Sequence, residues 1–173
     1  DNLTADTYTF NAENQAASDL LVAVNVKGLS YTKDAKDAVK LDFTHVMAKM
    51  VVNLTYKNQW GGIPTVKNVV VSDAVKEATI NYLTKAVTPT ATAQADFEVP
   101  ATVANTQYVS VLIPQTGIQK LAITIGEKTF IYDNGTPFNF ESGKITTINL
   151  EVGRDQVILD EVKISDWENG STF

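Results

Sequence analysis

The residues able to do chemistry are few. There is no cysteine and a single histidine, His45. Thiol catalysis and thiolate metal centres are therefore excluded, and any histidine-centred triad would rest on His45 alone. No Gly-x-Ser-x-Gly nucleophile elbow is present. His45 lies within an apolar, β-forming stretch, where a packed or hydrogen-bonded structural histidine is the expected role. Asp133, Asp155, Asp160 and Asp166 could supply oxygen ligands to Ca²⁺, but they do not follow the EF-hand spacing. Asp133-Asn134-Gly135 reads instead as a turn, because Asn and Gly tolerate positive φ. Trp60-Gly61-Gly62 lacks the lysine and following helix of a phosphate loop. No catalytic, metal or cofactor residue emerges. Two aromatics in turn-rich surroundings, Trp60 and Tyr31, remain as candidates for stacking on a sugar. For Trp60 the simpler expectation is a ring folded over the end of the domain. Trp167, after Val162 and Ile164, is expected to staple the last strand to the core.

Charge narrows the partners. The net charge is −6, and of the 14 cations only Arg154 is an arginine. Nucleic-acid binding needs clustered cations and guanidinium forks, so it is set aside. No apolar run reaches the roughly 18–20 residues of a membrane-spanning helix. No basic-then-apolar leader opens the chain, which reads as a mature or trimmed form. The sequons at Asn2, Asn53, Asn134 and Asn169 read as chance products of a Thr- and Asn-rich sequence.

The elements that must position these residues are strands. Short β-branched runs recur every 8–12 residues or so between turn signals, the pattern of a sandwich or barrel. Leu20 to Val26 alternates, with Leu20, Val22, Val24 and Val26 on one face. Tyr8-Thr9-Phe10 is a second candidate strand. Thr32 to Lys40 reads as an exposed loop. From Leu41 to Tyr56 the alternation changes phase, predicting one long strand bent by a β-bulge near His45. Ser72 to Ala86 could be a capped helix or strands, and the β-formers Thr79, Ile80 and Tyr82 favour strands. Thr88 to Ala95 is expected to be an extended surface loop. Phe97 to Val99, Gln107 to Ile113, Leu121 to Ile125, Lys128 to Tyr132, Phe138 to Phe140, Ile145 to Val152 and Val157 to Ile164 complete the set. The fold class is all-β, and the chain reads as one domain over residues 1–173, with 1–36 as the trailing part of a longer N-terminal region.

Several segments together carry a resemblance. Leu41-Asp42-Phe43-Thr44-His45-Val46-Met47-Ala48-Lys49-Met50-Val51-Val52-Asn53-Leu54 resembles a segment of the fimbrillin-like cell-surface proteins of Bacteroides-type bacteria. Asp19 to Ala23 matches a strand that often precedes it. Val111-Leu112-Ile113-Pro114-Gln115-Thr116 is similar to that family's apolar strand ending in Pro-Gln. The run from Phe138 through Phe140, Gly143, Lys144 and Thr146 to Leu150 resembles its aromatic and Gly-Lys signature, and Ile164 to Gly170, with Trp167, its closing motif. The resemblance implies a transthyretin-like antiparallel β-sandwich with Greek-key connections and no enzymatic activity. It also implies export as a lipoprotein to the outer membrane and a role as a structural or adhesive pilus subunit. Its partners would be other fimbrillin subunits added by donor-strand β-augmentation after proteolytic loss of an N-terminal strand. A stand-alone surface module binding carbohydrate or host protein is the alternative.

Overall fold

In a computed structural model, residues 5–11, 14–24 and 40–168 are described. Tyr31, the stretch 25–30 and most of the expected 32–40 loop lie outside them. The described chain is nearly all strand: β1 (Ala5–Thr9), β2 (Leu21–Ala23), β3 (Phe43–His45), β4 (Ala48–Tyr56), β5 (Val66–Val75), β6 (Glu77–Asn81), β7 (Ala86–Pro89), β8 (Gln94–Glu98), β9 (Ala101–Val103), β10 (Gln107–Leu112), β11 (Lys120–Ile125), β12 (Lys128–Asp133), β13 (Lys144–Val152) and β14 (Val157–Asp166). Two short 3₁₀ turns, Ala16–Ser18 and Asn58–Trp60, are the helical elements.

A five-stranded sheet ordered β14-β13-β4-β10-β9 and a four-stranded sheet ordered β12-β11-β5-β8 share the core. A three-stranded sheet, β1-β6-β7, and a pair, β2-β3, complete the architecture. The alternation read from sequence sets the faces. Met50, Val52 and Leu54 of β4, Ile148, Leu150 and Val152 of β13, and Leu121 and Ile123 of β11 are all buried. Among the described residues all pairings are antiparallel except one: β13 runs parallel to β4, from Ile145 beside Lys49 to Val152 beside Tyr56. That pair sits at the middle of the larger sheet, where parallel strands need cover on both faces. The pair's outward face is half-buried, with Lys49 buried and Val51, Asn53, Thr147 and Asn149 partly exposed, and the Ala16–Ser18 turn lies against the neighbouring β10.

Three expectations are corrected and one strand is added. The Leu41–Tyr56 run is not one bulged strand. It breaks at Val46 and Met47, both buried, and its halves join different sheets, β3 with β2 and β4 with β10 and β13. A phase change in a β pattern marks a bulge and a change of sheet alike, so the pattern alone does not separate them. Part of the Thr88–Ala95 loop is strand, because β7 pairs with β6 and β8 begins at Gln94. Phe138 to Phe140 makes a single bridge, Gln115 to Phe140. β9 was not expected, and its three exposed residues are too short to show a period. The ambiguous Ser72–Ala86 stretch is strand: β5 passes through one intervening residue, Lys76, into β6, and Lys85 turns the chain at φ 61°.

Candidate functional site

The residues that carried the sequence motifs meet in two clusters. In the first, β3 presents His45, the stretch after the Ala16–Ser18 turn presents Asp19, β4 presents Lys49, and the end of β14 presents Trp167. His45 Nδ1 lies 2.9 Å from Asp19 Oδ1. The imidazole stacks on the Trp167 indole, centroids 3.8 Å apart and planes 8° from parallel. Lys49 Nζ sits 5.3 Å from the same ring, a cation–π distance. Burial pushes the Lys49 ammonium below its ordinary range, and the nearby Asp19 carboxylate opposes that shift. Gly143 closes the cluster: its carbonyl accepts from Trp167 N–H at 2.9 Å, and its N–H donates to Met47. At φ 69°, a Cβ on Gly143 would fall 3.1 Å from the His45 carbonyl oxygen, so only glycine fits without strain.

This geometry holds the ring in place. With Asp19 on Nδ1 and the indole across one ring face, His45 ties three distant segments together, the arrangement expected of a structural histidine. Ser142 is nearby, and its hydroxyl donates to the Val46 carbonyl at 2.8 Å.

The second cluster explains the Pro-Gln motif. The Gln115 side chain is buried between the two larger sheets. Its Oε1 accepts from Val75 N–H at 2.8 Å, and its Nε2 donates to the Ile113 carbonyl at 2.9 Å. Its backbone pairs with Phe140 in both directions. One amide side chain thus serves the ends of β5 and β10, where ladder partners run out.

Trp60 sits at the far end of the sandwich. Its Nε1 donates to the Val152 carbonyl at 3.0 Å, its edge meets Phe130 with centroids 6.2 Å apart, and the Arg154 guanidinium lies 5.4 Å from the ring. The ring is folded over the end of the domain and is half-buried. The Asp133-Asn134-Gly135 turn is held by a bond from Gly135 N–H to Asp133 Oδ1 at 3.0 Å, with Gly135 at φ 71°. Among the described residues no three or more His, Asp or Glu side chains gather as a metal site, and no helix is long and apolar enough to cross a membrane.

One feature went unread in the sequence. On the outward face of the larger sheet, side chains hydrogen-bond in series across five strands. Thr102 donates to Gln107 at 3.0 Å, Gln107 to Asn53 at 3.1 Å, Asn53 to Asn149 at 2.8 Å, and Asn149 to the Glu161 carboxylate at 3.3 Å. Every donor points toward the one anionic end, so each bond polarises the next. Polar residues at outward strand positions were the available signal, but only cross-strand register aligns them. At the end of this series lies β14, the edge strand of its sheet, ten residues long and mostly exposed.

Comparison with known proteins agrees with this architecture. No curated protein sequence matches the chain. A candidate cell adhesion protein of Bacteroides uniformis shares the fold at TM-score 0.75, with 20% identity, over 95% of this chain and 67% of that one. A second from Bacteroides ovatus aligns at TM-score 0.69 and 17% identity, over 99% and 63%. The tip fimbrial protein Mfa3 of Porphyromonas gingivalis, with a C-terminal truncation, aligns at TM-score 0.53 and 13% identity, over 72% and 52%. The chain therefore spans about two thirds or less of the length of these structures. The fimbrillin-like family profile matches residues 1–167, almost the whole chain. Those residues include every member of the His45 and Gln115 clusters, and the chain belongs to the fimbrillin-like family.

Proposed function

We propose that the protein is a structural or adhesive subunit of a surface pilus, exported to the outer membrane. The family match over residues 1–167 carries this reading. The named likenesses to cell adhesion and fimbrial proteins support it. The single-domain reading of residues 1–173 fits the one continuous apolar cluster that draws on every larger sheet.

Assembly by strand addition is the finer part of the proposal. β1 is exposed along its length except for half-buried Tyr8, and it pairs with β6 from Ala5–Asn81 to Thr9–Glu77. The residues beneath, Ala78 and Ile80, are fully buried. Loss of β1 would leave the β6 edge open for a strand from another subunit, with main-chain bonds supplying affinity and side-chain pockets register. Electron microscopy and light scattering on the full chain and on a chain with a specific protease site inserted between Thr9 and Ala16, before and after cleavage there, test the reading. Ordered multimers formed after cleavage and immunogold labelling of surface filaments are expected. A chain that stays out of both multimers and filaments overturns the pilus role and leaves the stand-alone binding module, for which glycan binding lost in Trp60→Ala would be the mark.

A further inference from the structure

β14 ends the five-stranded sheet, whereas β1 belongs to the three-stranded one. Edge strands present unpaired N–H and C=O groups and are normally short, bulged or charged to discourage pairing. β14 runs from Val157 to Asp166 with one bulge, at Asp160, which falls between Glu161 opposite Asn149 and Leu159 opposite Leu150; Glu161 to Asp166 are in regular register with β13. The side chains of this segment form two sets. Val162 and Ile164 lie opposite Ile148 and Thr146 on the inward face, yet they are 37% and 44% exposed because they sit at the sheet's rim. Glu161 and Lys163 lie opposite Asn149 and Thr147 on the outward face, beside the amide series.

We infer that β14 pairs antiparallel with β14 of a second copy of this chain about a two-fold axis at Val162, joining two five-stranded sheets edge to edge. Charge selects both partner and register. Antiparallel neighbours must share a face, so the axis of such a pair passes through a residue. An axis at Lys163 sets lysine against lysine, and one at Glu161 sets carboxylate against carboxylate. An axis at Ile164 places Lys163 opposite Ser165 and forms no opposite-charge pair. The axis at Val162 alone places Glu161 opposite Lys163 of the second copy, twice by symmetry, and brings the two Val162 side chains together. Lys163, which would guard the edge against an arbitrary strand, is matched by this one. The contact is isologous and closes at two copies, in contrast to the open-ended strand donation considered for β1.

The chain has no cysteine, so single cysteines can report register. At a two-fold axis the paired Cα atoms are about 4.5–5.5 Å apart, within disulfide range. Val162→Cys should cross-link under mild oxidation to a covalent dimer, whereas Ile164→Cys, facing Asp160 of the second copy, should cross-link far less. In sedimentation equilibrium the unmodified chain should show a concentration-dependent dimer. Lys163→Glu should weaken it about tenfold, because two attractive pairs become repulsive. The exchange Glu161→Lys with Lys163→Glu should restore it. A chain monomeric at the highest soluble concentration, equal cross-linking at 162 and 164, or a double exchange no better than the single change would each overturn the inference. Assembly after cleavage of β1 that is indifferent to Lys163→Glu would leave the pilus reading standing and refer only to the other edge.

Discussion

Truncation of Trp167 is the sharpest test of the His45 cluster. The indole is 5% exposed, stacked on His45 at 3.8 Å, with Lys49 Nζ 5.3 Å away. Burying a large aromatic removes about 150–250 Å² from water, and truncating one to alanine in a core costs about 3–5 kcal/mol. Trp167 follows the edge strand β14, where neighbours can relax into the space, so about 3 kcal/mol is expected for Trp167→Ala. For a chain of this length that corresponds to a melting point lower by about 6–12 °C. Trp167→Phe keeps a ring on His45 and should lose well under half as much. The protein has two tryptophans, so the variant leaves Trp60 as a lone fluorophore at the opposite end of the sandwich. Urea unfolding followed by Trp60 emission and by far-ultraviolet circular dichroism gives the stability, and hydrogen exchange gives its location. Faster exchange should concentrate at the C-terminal end of β14 and in β3, and should spare β11. A loss below about 1 kcal/mol, or equal losses for the alanine and phenylalanine variants, would refute the reading of Trp167 as the staple of three segments.

Other consequences follow from the same geometry. Gln115→Ala strands the buried Val75 N–H, and a loss of about 2–3 kcal/mol in the urea transition is expected; no change would mean that water replaces the amide. Gly143→Ala forces an alanine into positive φ against the His45 carbonyl, and its melting point should fall by several degrees, more than for the same change at the unobstructed Gly126. Stability should decline at alkaline pH. Burial raises the Tyr56 hydroxyl well above its ordinary value of 10.0, and Tyr8, Tyr108 and Tyr132 shift the same way for the same reason. Their folded forms keep a proton that the unfolded chain releases, so the stabilisation is full below pH 10 and is lost as pH rises toward the folded values. Lys49, with a lowered value, acts in the opposite direction below its ordinary 10.5. Tyr56→Phe should flatten the decline seen by circular dichroism above pH 10, and an unchanged slope would remove Tyr56 from this account.

The sequence by itself determined the all-β class, because side-chain period two and turn chemistry are local properties. Tyr8 to Phe10, Gln107 to Ile113 and Ile145 to Val152 lie wholly or largely within strands, and Leu20 to Val26 contains the strand Leu21–Ala23 in its described part. It also determined that His45 and Trp167 would be packed residues, since an isolated polar ring in an apolar run has few other roles. What only tertiary structure decided is which strands meet. The break at Val46–Met47, the parallel β4–β13 pair, and the convergence of Asp19, His45, Lys49, Gly143 and Trp167 all depend on pairings between segments tens of residues apart. The amide series from Thr102 to Glu161 depends on them in the same way. Alternation specifies a face but not a neighbour. The neighbour is set by burial shared among all the sheets at once, and a linear pattern does not contain that quantity.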